Sequence, residues 1–303
     1  MRCPWHESVT APTRGARHLR HESVTARQAG DRLAPIGTTI PYSWYVDPEI
    51  LRREQERIFR SAWQYAGHTG QPPEPGTFFT GAAGRAPAVV TRAADGELRA
   101  APRSEEEPGF PRDELGLHWV AVDTWGPFVF VHASPDPEPL ADALGTMPAQ
   151  VAELGLDLDG LVHHSRWETE LEANWKVVCE NFRECHHCEV AHPGFSAVID
   201  VSTDAYALDA SGRVSAQLGP VRNSGRDTLD VAGADVEQSW IDELMAFDDR
   251  VGVEDRVLVE GVPRSVAAGA LERGVLMGRS EQLIGRFQQL TAAALTDVVE
   301  TRP

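Results

Sequence analysis

The ten residues from Glu184 to Pro193 read ECHHCEVAHP and set two carboxylates, two thiols and three imidazoles close enough together to bind an ion. An α-helix turns about 100° per residue, so Glu184 and His187 share a face, roughly 60° apart. His192 follows five positions later. An unbroken helix would point the His187 and His192 rings about 140° apart, so both reach one ion only if the helix ends or bulges between them. Pro193 marks such an end. Two neutral imidazoles and one carboxylate, with coordination positions left open, form the donor set of non-haem iron(II) that activates dioxygen.

The third donor must come from elsewhere. The stretch VEDRVLVEGV offers Glu254, Asp255 and Glu260. Asp255 is the favoured one, against the plainer reading in which all three form the solvated face of a helix in an acidic protein. The sulfurs allow another metal: Cys185 and Cys188 make a C-x-x-C pair beside His186, His187 and His192, suited to structural zinc. Against zinc, there is no second knuckle, and cysteines three apart within a helix lack the turn that knuckles supply. The blandest reading is a helix end with buried cysteines and capping histidines.

The elements that would hold these residues follow from patterning. Residues 1–38 read as a disordered tail in which HESVTA occurs at 6–11 and again at 21–26. Asp47 followed by Pro48 starts a helix in PEILRREQERIF. APAVVTR and GELRA, joined through Ala94, Asp95 and Gly96, look like a hairpin, and WGPFVFVHAS like a buried strand. LVHHSRWETELE alternates as a strand and feeds a helix expected over about 174–188. Residues 196–235 hold few large apolar side chains and read as loop or weak strands. Two or three C-terminal helices follow, with Ser280 as the cap of the one in SEQLIGRFQQLTAAALTDVVE.

Composition narrows the partners. With 28 Lys and Arg against 46 Asp and Glu, the net charge of -18 disfavours nucleic acid and anionic membrane surfaces. The absence of a long apolar run or secretory core points to the cytoplasm. Four cysteines, three of them clustered, suit metal or reduced thiols better than a disulfide framework.

The segment NWKVVCENFRECHHCEVAHP resembles the core of the Rieske-type non-haem iron oxygenases, whose large (alpha) subunits carry N-W-K-x-x-x-E-N-x-x-[DE]-x-Y-H-x-x-x-x-H-P. The match covers Asn174, Trp175, Lys176, Glu180, Asn181, Glu184, His187, His192 and Pro193, with His186 in place of the usual tyrosine. EDRVLVEGV is similar to the family's E-D-x-x-[LV]-x-E segment. YVDPEILRREQERIFRSAWQYAGH resembles the opening of subunits that act on quaternary ammonium or similar small substrates.

The resemblance implies an α+β fold: a helix-capped antiparallel sheet of helix-grip type over 136–303, truncated, after a remnant β-rich N-terminal domain over 39–135. It implies that His187, His192 and Asp255 hold a mononuclear Fe(II), with Asn181 and Glu184 as catalytic residues. Glu184 would pass electrons from a 2Fe-2S cluster on a neighbouring subunit of a trimer, and a reductase or ferredoxin would be the donor.

The cluster itself needs paired C-x-H and C-x-x-H ligands, and these are not found. ELRA at 97–100 runs directly into APRSEEE, where the family places them. Cys3-Pro4-Trp5-His6 matches half of such a pair. The functional expectation is an oxygenase that hydroxylates a small organic substrate, with a non-catalytic iron-binding relative as the alternative.

Overall fold

A computed structural model of the chain describes residues 2–3, 7–10, 37–92, 120–210, 212–222, 238–269 and 271–296. In chain order the elements are strands β1 (Arg2–Cys3), β2 (Glu7–Thr10) and β3 (Gly37–Thr38), then helix α1 (Pro48–Glu54). Strands β4 (Gln64–His68), β5 (Phe78–Ala83), β6 (Ala86–Thr91), β7 (Ala121–Trp125) and β8 (Phe128–His132) follow. Next come α2 (Leu140–Leu144), α3 (Met147–Glu153), β9 (Val162–Arg166), β10 (Thr169–Glu170), α4 (Trp175–Asn181), α5 (Cys188–Ala191) and α6 (Pro193–Val198). The last are β11 (Ala207–Asp209), β12 (Ala216–Leu218), α7 (Gln238–Ala267), β13 (Val275–Leu276) and α8 (Gln282–Leu295). Helices and antiparallel sheet make this an α+β chain, without a closed barrel among the described residues.

Contacts divide the chain into two units, residues 1–52 with 164–303, and residues 53–163. The boundary read from the sequence, at 135/136, differs from this division for two reasons. Ile40 and Tyr45 pack with Val177 and Val259, which draws residues before 53 into the first unit. In the second unit, α2 buries Leu140 and Leu144 and packs against β7.

In the second unit β4, β8 and β7 form a three-stranded antiparallel sheet, with β5 and β6 as a separate hairpin. Alternate residues of these strands, Phe79, Ala83, Val90, Val129 and Val131, face inward and build its core with Ala66, as period-two patterning requires. The hairpin turns at Gly84, whose φ of 66° suits glycine. APAVVT is therefore a strand, but it pairs with FFTGAA, while the expected partner GELRA lies outside the described residues. β4 bulges between Tyr65 and Gly67, and Gly67 comes so close to Phe79 that a Cβ there would sit 2.7 Å from the ring.

The first unit is mainly helical. Asp47 caps α1 as expected, its Oδ1 accepting the Glu49 amide at 2.8 Å. Within the segment read as a tail, β1 pairs antiparallel with β10, and the greater part of 1–36 lies outside the described residues. Residues 207–218 form a short hairpin, consistent with weak strands. Helix α8 starts at Gln282 with Glu281 at its cap, not Ser280; the Glu281 carboxylate instead accepts the Met277 amide at 2.6 Å. No helix among the described residues is long and apolar enough to cross a membrane.

Candidate metal centre

Helix α4 begins at Asn174, whose side chain accepts the Lys176 amide at 3.1 Å and donates to the Tyr45 carbonyl at 3.0 Å. The helix expected to run to 188 stops at Asn181. Two local interactions compete with its continuation. The Glu184 carboxylate accepts the amide of His186 at 2.5 Å, and Cys185 is joined to Cys188 by a disulfide. A side chain that satisfies the amide two residues ahead gives the backbone an alternative to the helical ladder. The chain then re-enters helix at Cys188, breaks at His192 (φ -122°, ψ 67°) and restarts with Pro193 in the first turn of α6.

This path resolves the angular conflict between the two imidazoles. With a break on either side of α5, the His187 and His192 rings lie edge to face with centroids 5.0 Å apart. Asp255 reaches them from α7, which is held against α4 by Val259, one turn further on and packed with Val177. The donor atoms of His187, His192 and Asp255 all lie within 4.8 Å of one another. Asp255 Oδ1 is 3.0 Å from His192 Nε2 and 3.5 Å from His187 Nε2. His192 and Asp255 are buried and His187 is half-buried.

The far side of each ring is held by a carboxylate. Glu184 engages Nδ1 of His187, and Glu254 engages Nδ1 of His192 at 2.8 Å. Both Nε2 atoms are thereby left for a shared ligand, the arrangement that outer carboxylates impose on metal-binding histidines. Asn181 Nδ2 donates to Asp255 Oδ1 at 2.6 Å and orients the third donor.

Electrostatics follow from this packing. Burial would lower the His187 pKa, but the hydrogen bonds and charges of Asp255 and Glu184 outweigh it and push it up to about 9. Burial likewise works to raise Asp255 and Glu184, yet the histidines beside them hold both carboxyls below the usual range. Metal binding at these atoms therefore competes with protonation of His187.

Of the five residues singled out from the sequence, His187, His192, Asp255, Asn181 and Glu184 all fall in this one cluster. Glu260, weighed as a third donor, does not: it accepts the Glu172 amide at 3.1 Å and pairs with Arg256. Glu254, weighed in the same way, stands behind His192. The expectation of reduced thiols is corrected by the Cys185 to Cys188 disulfide. Sulfurs bonded to each other are not thiolate donors, so the zinc reading loses its ligands. Cys179 is a free thiol, and burial pushes its pKa up.

A second polar cluster, not anticipated as a unit, surrounds Glu180 on α4. Tyr45 donates its hydroxyl to the Glu180 carboxyl at 2.8 Å, and Gln288 Nε2 donates at 2.8 Å. Gln288 Oε1 in turn accepts the Ile40 amide at 2.9 Å. Burial raises the pKa of Glu180, and burial with the adjacent carboxyl raises that of Tyr45. A cavity of about 240 Å³ opens beside them, lined also by Tyr42, Leu276 and Ile284.

Comparison with known proteins places this geometry. Residues 158–230, which include both histidines, match the family model of the ring-hydroxylating alpha subunit catalytic domain. Over these residues the chain is similar to ring-hydroxylating alpha subunits. Choline monooxygenase of Amaranthus tricolor is 26% identical over 77% of this chain and 61% of its own length. The carnitine monooxygenase oxygenase subunit of Escherichia coli (strain K12) is 26% identical over 60% of this chain and 59% of its own. The chain thus spans about three fifths of the length of these two curated relatives.

An alignment with choline monooxygenase of Beta vulgaris runs over 360 positions but uses 89% of this 303-residue chain, so many of its positions face gaps here. The crystal structure of the quaternary ammonium Rieske monooxygenase CntA shares the fold, with a TM-score of 0.74 at 21% identity over 86% of this chain and 96% of that one. Naphthalene 1,2-dioxygenase is more distant, with a TM-score of 0.51 at 18% identity over 73% and 63%.

Proposed function

We propose that this chain is an oxygenase component that uses mononuclear non-haem iron(II) and dioxygen to hydroxylate a small organic substrate. The observation that carries the reading is the convergence of His187, His192 and Asp255, with both imidazoles presenting Nε2 and a carboxylate behind each. Two nitrogens and one carboxylate oxygen, with no thiolate, suit iron(II) and leave positions open. When bound, iron would supply the one-electron and dioxygen chemistry that protein side chains cannot.

The chain's own residues then have defined work. Glu184 and Glu254 fix the tautomers and aims of His187 and His192, and Asn181 fixes the angle of Asp255. The substrate class is a small quaternary ammonium or similar compound, on the strength of relatives named as choline and carnitine monooxygenases. In this reading the unit formed by 53–163 corresponds to the cluster-bearing part of such subunits, and the unit containing α4 and α7 is catalytic.

Electrons come from a partner of the reductase or ferredoxin class. A 2Fe-2S cluster would reach Glu184 from a neighbouring subunit of a homotrimer or of an intact relative, in the cytoplasm. The test is anaerobic loading with Fe(II), metal analysis and EPR of the purified chain, then turnover of choline and carnitine with a chemical reductant. About one iron per chain, lost in His187→Ala and Asp255→Ala, is expected. A chain that retains no iron refutes the reading, and one that binds iron but hydroxylates neither compound under any reductant favours a non-catalytic relative.

A further inference from the structure

Hydroxylation with dioxygen takes up two electrons and two protons per turnover, and a pair of thiols closing to a disulfide releases the same number. Cys185 and Cys188 are joined in this structure, and they bracket His187 on either side. Glu184, which holds that histidine, directly precedes Cys185. The Cys188 carbonyl accepts the His192 amide at 3.0 Å and the Ser196 hydroxyl at 2.8 Å. The sulfur pair is therefore built into the turn that presents both imidazoles. Cys188 is buried and Cys185 is half-buried.

We infer that Cys185 and Cys188 form a redox-active dithiol and disulfide couple that holds the two electrons for one turnover of the adjacent metal centre. This rests on the iron reading of His187, His192 and Asp255. The balance closes: a C–H substrate, dioxygen and the dithiol give the hydroxylated product, water and the disulfide. Two S–H bonds break and one S–S bond forms. The O–O bond breaks, one oxygen enters the C–H bond, and the other leaves as water with both thiol hydrogens. A dithiol carried by the electron-donating partner of the reductase class then restores the pair by attacking the sulfur of Cys185, the more accessible of the two, and releasing the Cys188 thiolate. That dithiol resolves the mixed disulfide and leaves oxidised.

The experiment uses the full chain, reduced with dithiothreitol, freed of reductant, and loaded anaerobically with Fe(II) or with Zn(II). Each sample is exposed to dioxygen, quenched with an alkylating agent at intervals and mapped by mass spectrometry, with metal content measured in parallel. Loss of label at Cys185 and Cys188 together is expected to run on the order of tenfold faster with iron than with zinc, while Cys179 stays alkylated. Equal rates with the two metals, or thiols that persist with iron bound, overturn the couple and leave the iron reading intact. Failure to retain iron overturns both. In the Cys185→Ser/Cys188→Ser double variant, iron content is expected to be unchanged and dioxygen uptake per iron, without added reductant, to fall; unchanged uptake overturns the couple.

Discussion

Replacing Glu254 with alanine isolates the part played by the carboxylate behind His192. In the folded chain Glu254 Oε2 takes the hydrogen bond of Nδ1 at 2.8 Å, and the His192 side chain is only 3% exposed, so few other partners exist for that N–H. The Glu254 side chain is itself 32% exposed, so water enters the space that alanine leaves and recovers some of the loss. Removing an outer carboxylate of this kind weakens metal binding by about 10- to 100-fold, or about 1.4 to 2.7 kcal/mol.

Partial solvation puts the expected effect near the lower end. Glu254→Gln keeps an acceptor oxygen without the charge and should lose less than alanine. Glu260→Ala, a turn and a half further along α7 and bonded elsewhere, should leave the affinity unchanged. The measurement is anaerobic titration with Fe(II), or with Co(II) followed by absorption, on variants whose circular dichroism matches the parent. An affinity for Glu254→Ala equal to the parent's would refute the assignment of Glu254 to His192.

Other outcomes follow from the packing. Tyr45→Phe removes the hydroxyl that both Glu180 oxygens share and should cost about 1 to 3 kcal/mol, read from the midpoint of urea unfolding. Gly67→Ala forces a methyl group against Phe79 in the core of the 53–163 unit and should destabilise it by about 1 to 3 kcal/mol, seen as a lower Tm. The ring of His68 is buried, its Nε2 lacks a hydrogen-bond partner, and burial with the neighbouring His163 lowers its pKa. Because the unfolded chain takes up that proton first, His68's contribution to stability is full above about pH 6.5 and lost as pH falls through the folded value. Tm measured from pH 8 down to pH 5 should fall, and His68→Gln should flatten the slope.

The residues that meet at the centre were legible in the sequence because their spacing and neighbours carry a dense pattern. His187, His192 and Asp255 are found by type and order before any coordinate is known. The path that unites them was less legible. Apolar periodicity continues through Val178 and Phe182 and suggests one helix to 188, whereas the carboxylate of Glu184 and the sulfurs of Cys185 and Cys188 end it at Asn181. Side-chain competition for backbone amides leaves no mark on a hydrophobic pattern. Glu254 was visible as an acid beside Asp255, but adjacent helical positions point about 100° apart, and only the packing of α7 on α4 decides which meets Nε2 of His192 and which meets Nδ1. APAVVT was recognised as a strand from its β-branched residues, but its pairing with FFTGAA across Gly84 was not anticipated, because pairing depends on turn geometry as well as on propensity.

The four donors and orienting groups other than those on α7, Asn181, Glu184, His187 and His192, fall between 181 and 192, and α7 adds the neighbouring pair 254 and 255. The residues between 193 and 253 supply none of these groups. The entropy of closing a loop grows only as the logarithm of its length, so this span can gain or lose whole strands at little expense to the ion's surroundings. Such a centre behaves as a clasp made of two short pieces. A lineage can reshape the stretch between them repeatedly while the chemistry at the clasp stays in place.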